Sequence, residues 1–207
     1  PETFRNCEQL KTFYIGKAFR GKINYGEEGD PDTLFLYYAP IRLIQIDKEN
    51  TSYQLQNEIL YTRDGHILCQ ALKNDNADSQ LTIPSCVTEI ADGAFYRNSE
   101  FGAIEVKGSL ERIGISAFAC ADVGSFYVKG GVNYLDRGSF YQSAISEWRC
   151  HGGVKKYEKS AFQDVDATNG YAIDMNAITK LYQELLYVNA TTDLSYWVKT
   201  IWNWIIM

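Results

Sequence analysis

Apolar positions in the second half of the chain return on a beat of 22 or 23 residues. Phe95, Phe118, Phe140 and Phe162 are separated by 23, 22 and 22 residues, inside the strings LTIPSCVTEIADGAF, SLERIGISAF, GVNYLDRGSF and GVKKYEKSAF. Val87, Leu110, Val132 and Val154 keep the same intervals, and Ile90, Ile113, Leu135 and Tyr157 follow three residues behind them. A period of about 20 to 50 residues marks a solenoid, in which each repeat is one turn of a coil. No turn can bury its apolar face alone, so neighbours stack into an elongated body built for contact.

Within each turn a second pattern follows the phenylalanine: Phe101, Ile104 and Val106; Val123, Phe126 and Val128; Ile145, Trp148 and Cys150. The last two of each set alternate with polar residues as a short strand does, predicting one strand per turn. Lys107-Gly108-Ser109, Lys129-Gly130-Gly131 and His151-Gly152-Gly153 then read as glycine-bearing corners. The segments Ala94-Phe95, Ala117-Phe118, Ser139-Phe140 and Ala161-Phe162 have helical-turn character, which makes the expected class an α/β repeat solenoid.

The early half fits the same template through Phe4, Cys7, Leu10, Phe13 and Ile15, and again through Phe35, Tyr38, Ile41, Ile44 and Ile46. The step from Ile15 to Phe35 is eight residues longer than the regular 12, and the extra length is expected to bulge at 25–32. Four carboxylates in that loop raise a calcium site, but their spacing matches no EF-hand loop. A larger departure spans about 47–72, where Arg63-Asp64-Gly65 lies between two β-prone runs and predicts a β-hairpin. After Ile173 the pattern turns helical: Ile178, Leu181, Tyr182, Leu185 and Leu186, then Leu194, Trp197, Val198, Ile201, Trp202 and Ile205. The expected organisation is a solenoid over 1–173 and a helical cap over 174–207 that covers the last coil.

The string LTIPSCVTEIADGAFYRN resembles the repeat of the BspA-like leucine-rich-repeat proteins, and LIQIDKENTSYQLQNEILYTRDGHILCQAL resembles that family's hairpin insertion. The resemblance covers Thr3 to about Ile173. It implies a right-handed leucine-rich-repeat coil of short parallel strands, from an exported or cell-surface protein that binds other proteins or host matrix. It implies no catalytic residue, no cofactor and no metal. The consensus glycine after the isoleucine is present as Gly114 and replaced by Ala91, Asp136 and Glu158 in the other turns.

Composition narrows the picture. A net charge of −6 argues against a general nucleic-acid partner, which calls for a basic face. There is no apolar run long enough to span a membrane and no signal peptide, and a chain opening on Pro1 part-way through a repeat reads as a piece of a longer protein. Five cysteines form no CxxC and read as buried free thiols. The two histidines, His66 and His151, have no spaced partner, and HExxH, GxSxG and GxxxxGK are all missing, so the expectation is a non-enzyme.

Strand alternation supplies the candidate binding row. Outward positions in successive turns are Tyr14, Gln45, Glu105, Tyr127 and Arg149, with Asp47, Lys107, Lys129 and His151 at the strand ends. Such a mixture of Tyr and Arg suits a protein interface, and the partner expected is another protein or an extracellular-matrix component, bound by a monomer. The alternative is an architectural spacer or stalk of a larger surface protein. More remote are carbohydrate binding by exposed tyrosines and a β-helix polysaccharide-degrading enzyme.

Overall fold

The computed structural model describes residues 4, 6–26, 30, 32–72, 79–98, 101–163 and 172–173. The described chain is a β-solenoid of stacked strands. The expected helical cap at 174–207 lies outside the described residues.

Each regular turn contributes two strands, one more than the sequence pattern indicates. The first sheet runs β8 (Ser79–Ile83), β10 (Phe101–Val106), β12 (Asp122–Val128), β14 (Ala144–Cys150) and β16 (Ala172–Ile173), all parallel. The second continues past each glycine corner: β9 (Glu89–Ile90), β11 (Leu110–Ile113), β13 (Val132–Leu135) and β15 (Val154–Tyr157). These second strands are short, and in β11 and β13 only the first and last residues are fully buried. That three-residue spacing conceals the alternation by which a strand is recognised.

The segments expected to be helical turns are not helices. Gly93, Phe95 and Arg97 donate their backbone N–H groups to Ile115, Ala117 and Ala119 of the next turn, while Ala94, Tyr96 and Asn98 donate three residues back within their own. Ser116, Phe118 and Cys120 repeat the scheme toward Arg137, Ser139 and Tyr141. An α-helix would keep every such bond inside one segment, four residues apart. Here half are spent on the neighbouring turn, and the segment carries left-handed residues at 93, 116 and 138 and again at 97, 120 and 142. Among the described residues there is no α-helix, only the 3-10 turn Leu36–Tyr38, so the α/β expectation gives way to an all-β coil.

The core is a stack of rings. Phe95 and Phe118 lie 4.6 Å apart at 8°, Phe118 and Phe140 5.0 Å at 3°, and Phe140 and Phe162 5.1 Å at 5°. Phe101, Phe126 and Trp148 meet this stack edge-on from the first sheet. Phe95, Phe118 and Phe140 are fully buried.

The early turns join through β1 (Thr12–Ile15) and β4 (Leu43–Ile46), parallel with Ile15 opposite Ile46, and through the short pair β2 (Lys22–Ile23) and β3 (Thr33–Leu34). Around Arg63-Asp64-Gly65, β6 (Ile59–Thr62) and β7 (Ile67–Ala71) form an antiparallel pair, with β5 (Tyr53–Gln56) antiparallel to β6. Asp64 fixes the turn by accepting from the Thr62 hydroxyl at 2.6 Å and the His66 N–H at 3.0 Å. β7 also pairs in parallel with β9, so the insertion extends the second sheet. Asn24 ties these parts together. Its side chain donates to Cys69 O and Gln70 Oε1 and accepts from Leu36 N–H, while its carbonyl accepts from Asp92 N–H.

None of the five cysteines is in a disulfide: Cys69 and Cys150 are buried, Cys7 and Cys120 half-buried, and Cys86 is exposed, contrary to the uniform burial expected. Replacing Phe118 with Ala removes the middle of the ring stack and is expected to destabilise the fold by about 3–5 kcal/mol. Chemical denaturation checks this, and a loss below about 1 kcal/mol would mean that the stack is not the main source of coil cohesion.

Candidate functional site: the strand faces

Parallel pairing sets the predicted row in register. Glu105 sits opposite Tyr127, and Tyr127 opposite Arg149, on β10, β12 and β14. One step beyond the inward Val106, Val128 and Cys150 come Lys107, Lys129 and His151, all exposed. Tyr14 and Gln45 also face each other, but in the separate β1·β4 sheet, so the row comprises two groups rather than one hydrogen-bonded ladder.

Tyr127 occupies the middle of the main group. Its ring packs edge-on against His151 at 5.2 Å and 82°. Around it Glu105 pairs with Lys107 and, at 3.3 Å, with Lys129, and Arg149 pairs with Glu147. The Lys107 hydrogen bond, reinforced by Lys129, holds the Glu105 carboxyl below its ordinary range. In the other group Tyr14 is 59% exposed and donates to Asp47 Oδ2 at 3.0 Å, a bond that raises the phenol above its usual value. Leu43, on the neighbouring strand, is also exposed. Glu147 lies between Ile145 and Trp148, where the apolar residues are three apart and the sequence shows no alternation that marks an outward position.

A second charged row lies on the other sheet, and the repeat beat could have revealed it. Glu89, Arg112, Tyr134 and Lys156 each stand two residues after the apolar series Val87, Leu110, Val132 and Val154. In register, Arg112 neighbours Glu89 and Tyr134, and Tyr134 neighbours Lys156, whose ammonium lies 5.0 Å from the Tyr134 ring centre. Arg112 binds Glu89 at 2.8 Å, Asp92 at 2.5 Å and Asp136 at 2.9 Å. Tyr134 donates to Glu158 Oε1 at 2.8 Å.

The departures from the consensus glycine thereby acquire a role. Asp136 and Glu158 stand where that glycine is expected, and each receives the polar side chain reaching over from the preceding turn. Gly114 remains glycine because Asp92 Oδ1 would lie 2.4 Å from a Cβ there. Asp92 accepts the Ile115 N–H at 2.8 Å as well as Arg112. Burial pushes its carboxyl up to about 6 despite the opposing pull of these donors. Burial also disfavours charge on Arg112, but the carboxylates of Asp92, Glu89 and Asp136 outweigh it and raise the guanidinium above its ordinary value. Among the described residues no group of three or more His, Cys, Asp or Glu side chains is arranged to hold a metal, and no helix is long and apolar enough to cross a membrane.

Stacked turns of constant length, two parallel sheets joined at glycine corners and an internal aromatic ladder define a solenoid repeat protein. The BspA type leucine-rich-repeat region matches residues 65–169 in six copies, and the chain belongs to that family. No curated protein sequence matches it. Its fold is similar to that in the crystal structure of the pneumococcal vaccine antigen PcpA, with a TM-score of 0.55 at 16% identity. That similarity covers 88% of this chain and 55% of the other, so the chain spans about half the length of that protein.

Since the Asp92 carboxyl titrates near 6 in the fold against an ordinary 3.8, the native state binds the extra proton between these values. The contribution of this group to stability therefore falls as pH rises through that window and is constant outside it. Asp92→Asn removes the titration, so the stability of the wild type minus that of the variant should decrease from pH 3.8 to about 6. Denaturant titrations across the window measure this, and a pH-independent difference would overturn the assignment.

Proposed function

We propose that this chain is a non-enzymatic module of an exported or cell-surface protein, and that the outer face of its first sheet binds another protein or an extracellular-matrix component. The observation that carries this reading is Tyr127, a central aromatic with Glu105 and Arg149 on its flanking strands and His151 against its ring. Interfaces concentrate binding energy in a few Tyr, Trp and Arg residues near their centre, with polar groups at the rim excluding water. The similarity of fold to a pneumococcal vaccine antigen supports a surface location.

The architectural reading, a spacer within a larger surface protein, draws on the way the charges of this face neutralise one another through Glu105–Lys107, Glu105–Lys129 and Glu147–Arg149. One experiment separates the two. Extracellular-matrix and host-surface proteins are captured on immobilised wild type and on Tyr127→Ala/Arg149→Ala, with folding of both checked by circular dichroism. Binding expects a partner retained by the wild type and lost from the folded double variant. Capture of nothing by the wild type, or equal capture by both, would overturn use of this face.

A further inference from the structure

The corner between the two sheets is held straight by backbone contact. Gly130 N–H donates to Gly108 O at 3.0 Å and Gly152 N–H to Gly130 O at 2.8 Å, so equivalent corner residues of three turns stack directly. A Cβ would lie 2.8 Å from Ser85 O at Gly108, 2.1 Å from Ser109 Oγ at Gly130 and 2.6 Å from Gly131 N at Gly152. The corner cannot splay without losing these bonds.

The residues immediately before those glycines are Lys107, Lys129 and His151. They are exposed and repeat once per turn, at the interstrand step of about 4.8 Å. The last of these turns also carries three exposed cations, Arg149 before the corner and Lys155 and Lys156 after it. Charge along the chain is correspondingly uneven. Residues 101–163 hold eight Lys and Arg against six Asp and Glu, in a protein of net charge −6. Arg112, one of the eight, is already enclosed by three carboxylates. Of the other seven, Lys107, Lys129, Arg149, Lys155 and Lys156 lie along the corner and the strands beside it, where Glu105 and Glu147 pair with three of them.

We infer that this corner is a binding ridge for a linear sulfated polysaccharide, which runs along the solenoid axis with its sulfates over Lys107, Lys129, His151 and the Arg149–Lys155–Lys156 end. The geometry selects the ligand class. Side chains on one side of an extended peptide recur every second residue, about 6.8 Å apart, which is out of step with the coil. Successive rings of an extended 1→4 pyranose chain face opposite ways, so groups on one side recur at every second ring, close to two turns of this coil. A stiff polyanion also loses little conformational freedom on lying along a straight edge, and each phosphate- or sulfate-like contact releases condensed counterions.

The ridge goes beyond the protein-binding face, although it shares residues with that face, and its test does not depend on Tyr127. Heparin serves as the probe, and poly-L-glutamate of matched charge as the peptide comparison. The wild type should bind heparin with an affinity that falls steeply as salt rises, and bind poly-L-glutamate more weakly. Lys107→Gln/Lys129→Gln/His151→Gln/Lys155→Gln should weaken heparin binding by about 10-fold or more and flatten the salt slope. Lys17→Gln/Arg20→Gln/Lys48→Gln, which removes three cations near the start of the chain, should leave it unchanged. Equal weakening by both cation-neutralising variants would overturn the ridge. Poly-L-glutamate binding as tight as heparin would overturn the ligand class, and wild type that does not bind heparin at low salt would overturn both.

Discussion

The phenylalanine stack constrains everything else in this molecule. Its ring spacings of 4.6 to 5.1 Å match the distance between neighbouring strands, about 4.7–4.9 Å, so one ring per turn packs face to face only if every turn advances by one strand. The edge-on contacts from Phe101, Phe126 and Trp148 then fix how far the first sheet stands from the stack. A turn of altered length would misplace its ring by a fraction of that step and forfeit contacts on both sides. The chain tolerates one extra residue in the 23-residue interval by placing it between Phe95 and Phe101, away from the second-sheet strands. Separately, the register of β10 on β8 shifts between Phe101 and Ala103.

Much of this was legible in the sequence, because buried positions are those where substitution costs most and the repeat survives there. The register of β1 on β4 follows from aligning Ile15 with Ile46, and the corner glycines follow from their place after Val106, Val128 and Cys150. What was not legible depended on groups without a side-chain signal. The Ala-Phe segments look helical, since small and aromatic residues suit a helix. Their conformation is decided instead by backbone N–H groups that cross to the next turn, and by left-handed residues as varied as Gly93, Ser116, Arg97 and Cys120. The second strand of each turn was hidden for a related reason, since two fully buried residues three apart fit a bent strand and a helical turn equally well.

The candidate sites divide along the same line. Tyr127 and its neighbours could be found by counting outward from a recognised strand. The Arg112 cluster could not, because its turn-to-turn equivalents are Glu89, Tyr134 and Lys156, which share a position and no chemistry. Only the beat of the repeat relates them, and it does so once the second strand is known.

The two sheets consequently spend their polar residues differently. On the second sheet, side chains reach from one turn to an acid on the next, Arg112 to Asp136 and Tyr134 to Glu158, at the position where the family repeat carries glycine. Such bonds bridge turns that the ring stack already holds together. Removing one partner leaves the other half-buried and unpaired, so these residues serve the fold. On the first sheet the ion pairs Glu105–Lys107 and Glu147–Arg149 join residues two apart in the same turn, and Glu105–Lys129 crosses between turns. Pairs so exposed contribute little to stability and can exchange a protein carboxylate for a ligand's anion at small cost. A solenoid that fastens its turns on one face and keeps loosely paired cations on the other can bind along its length without loosening its own coils.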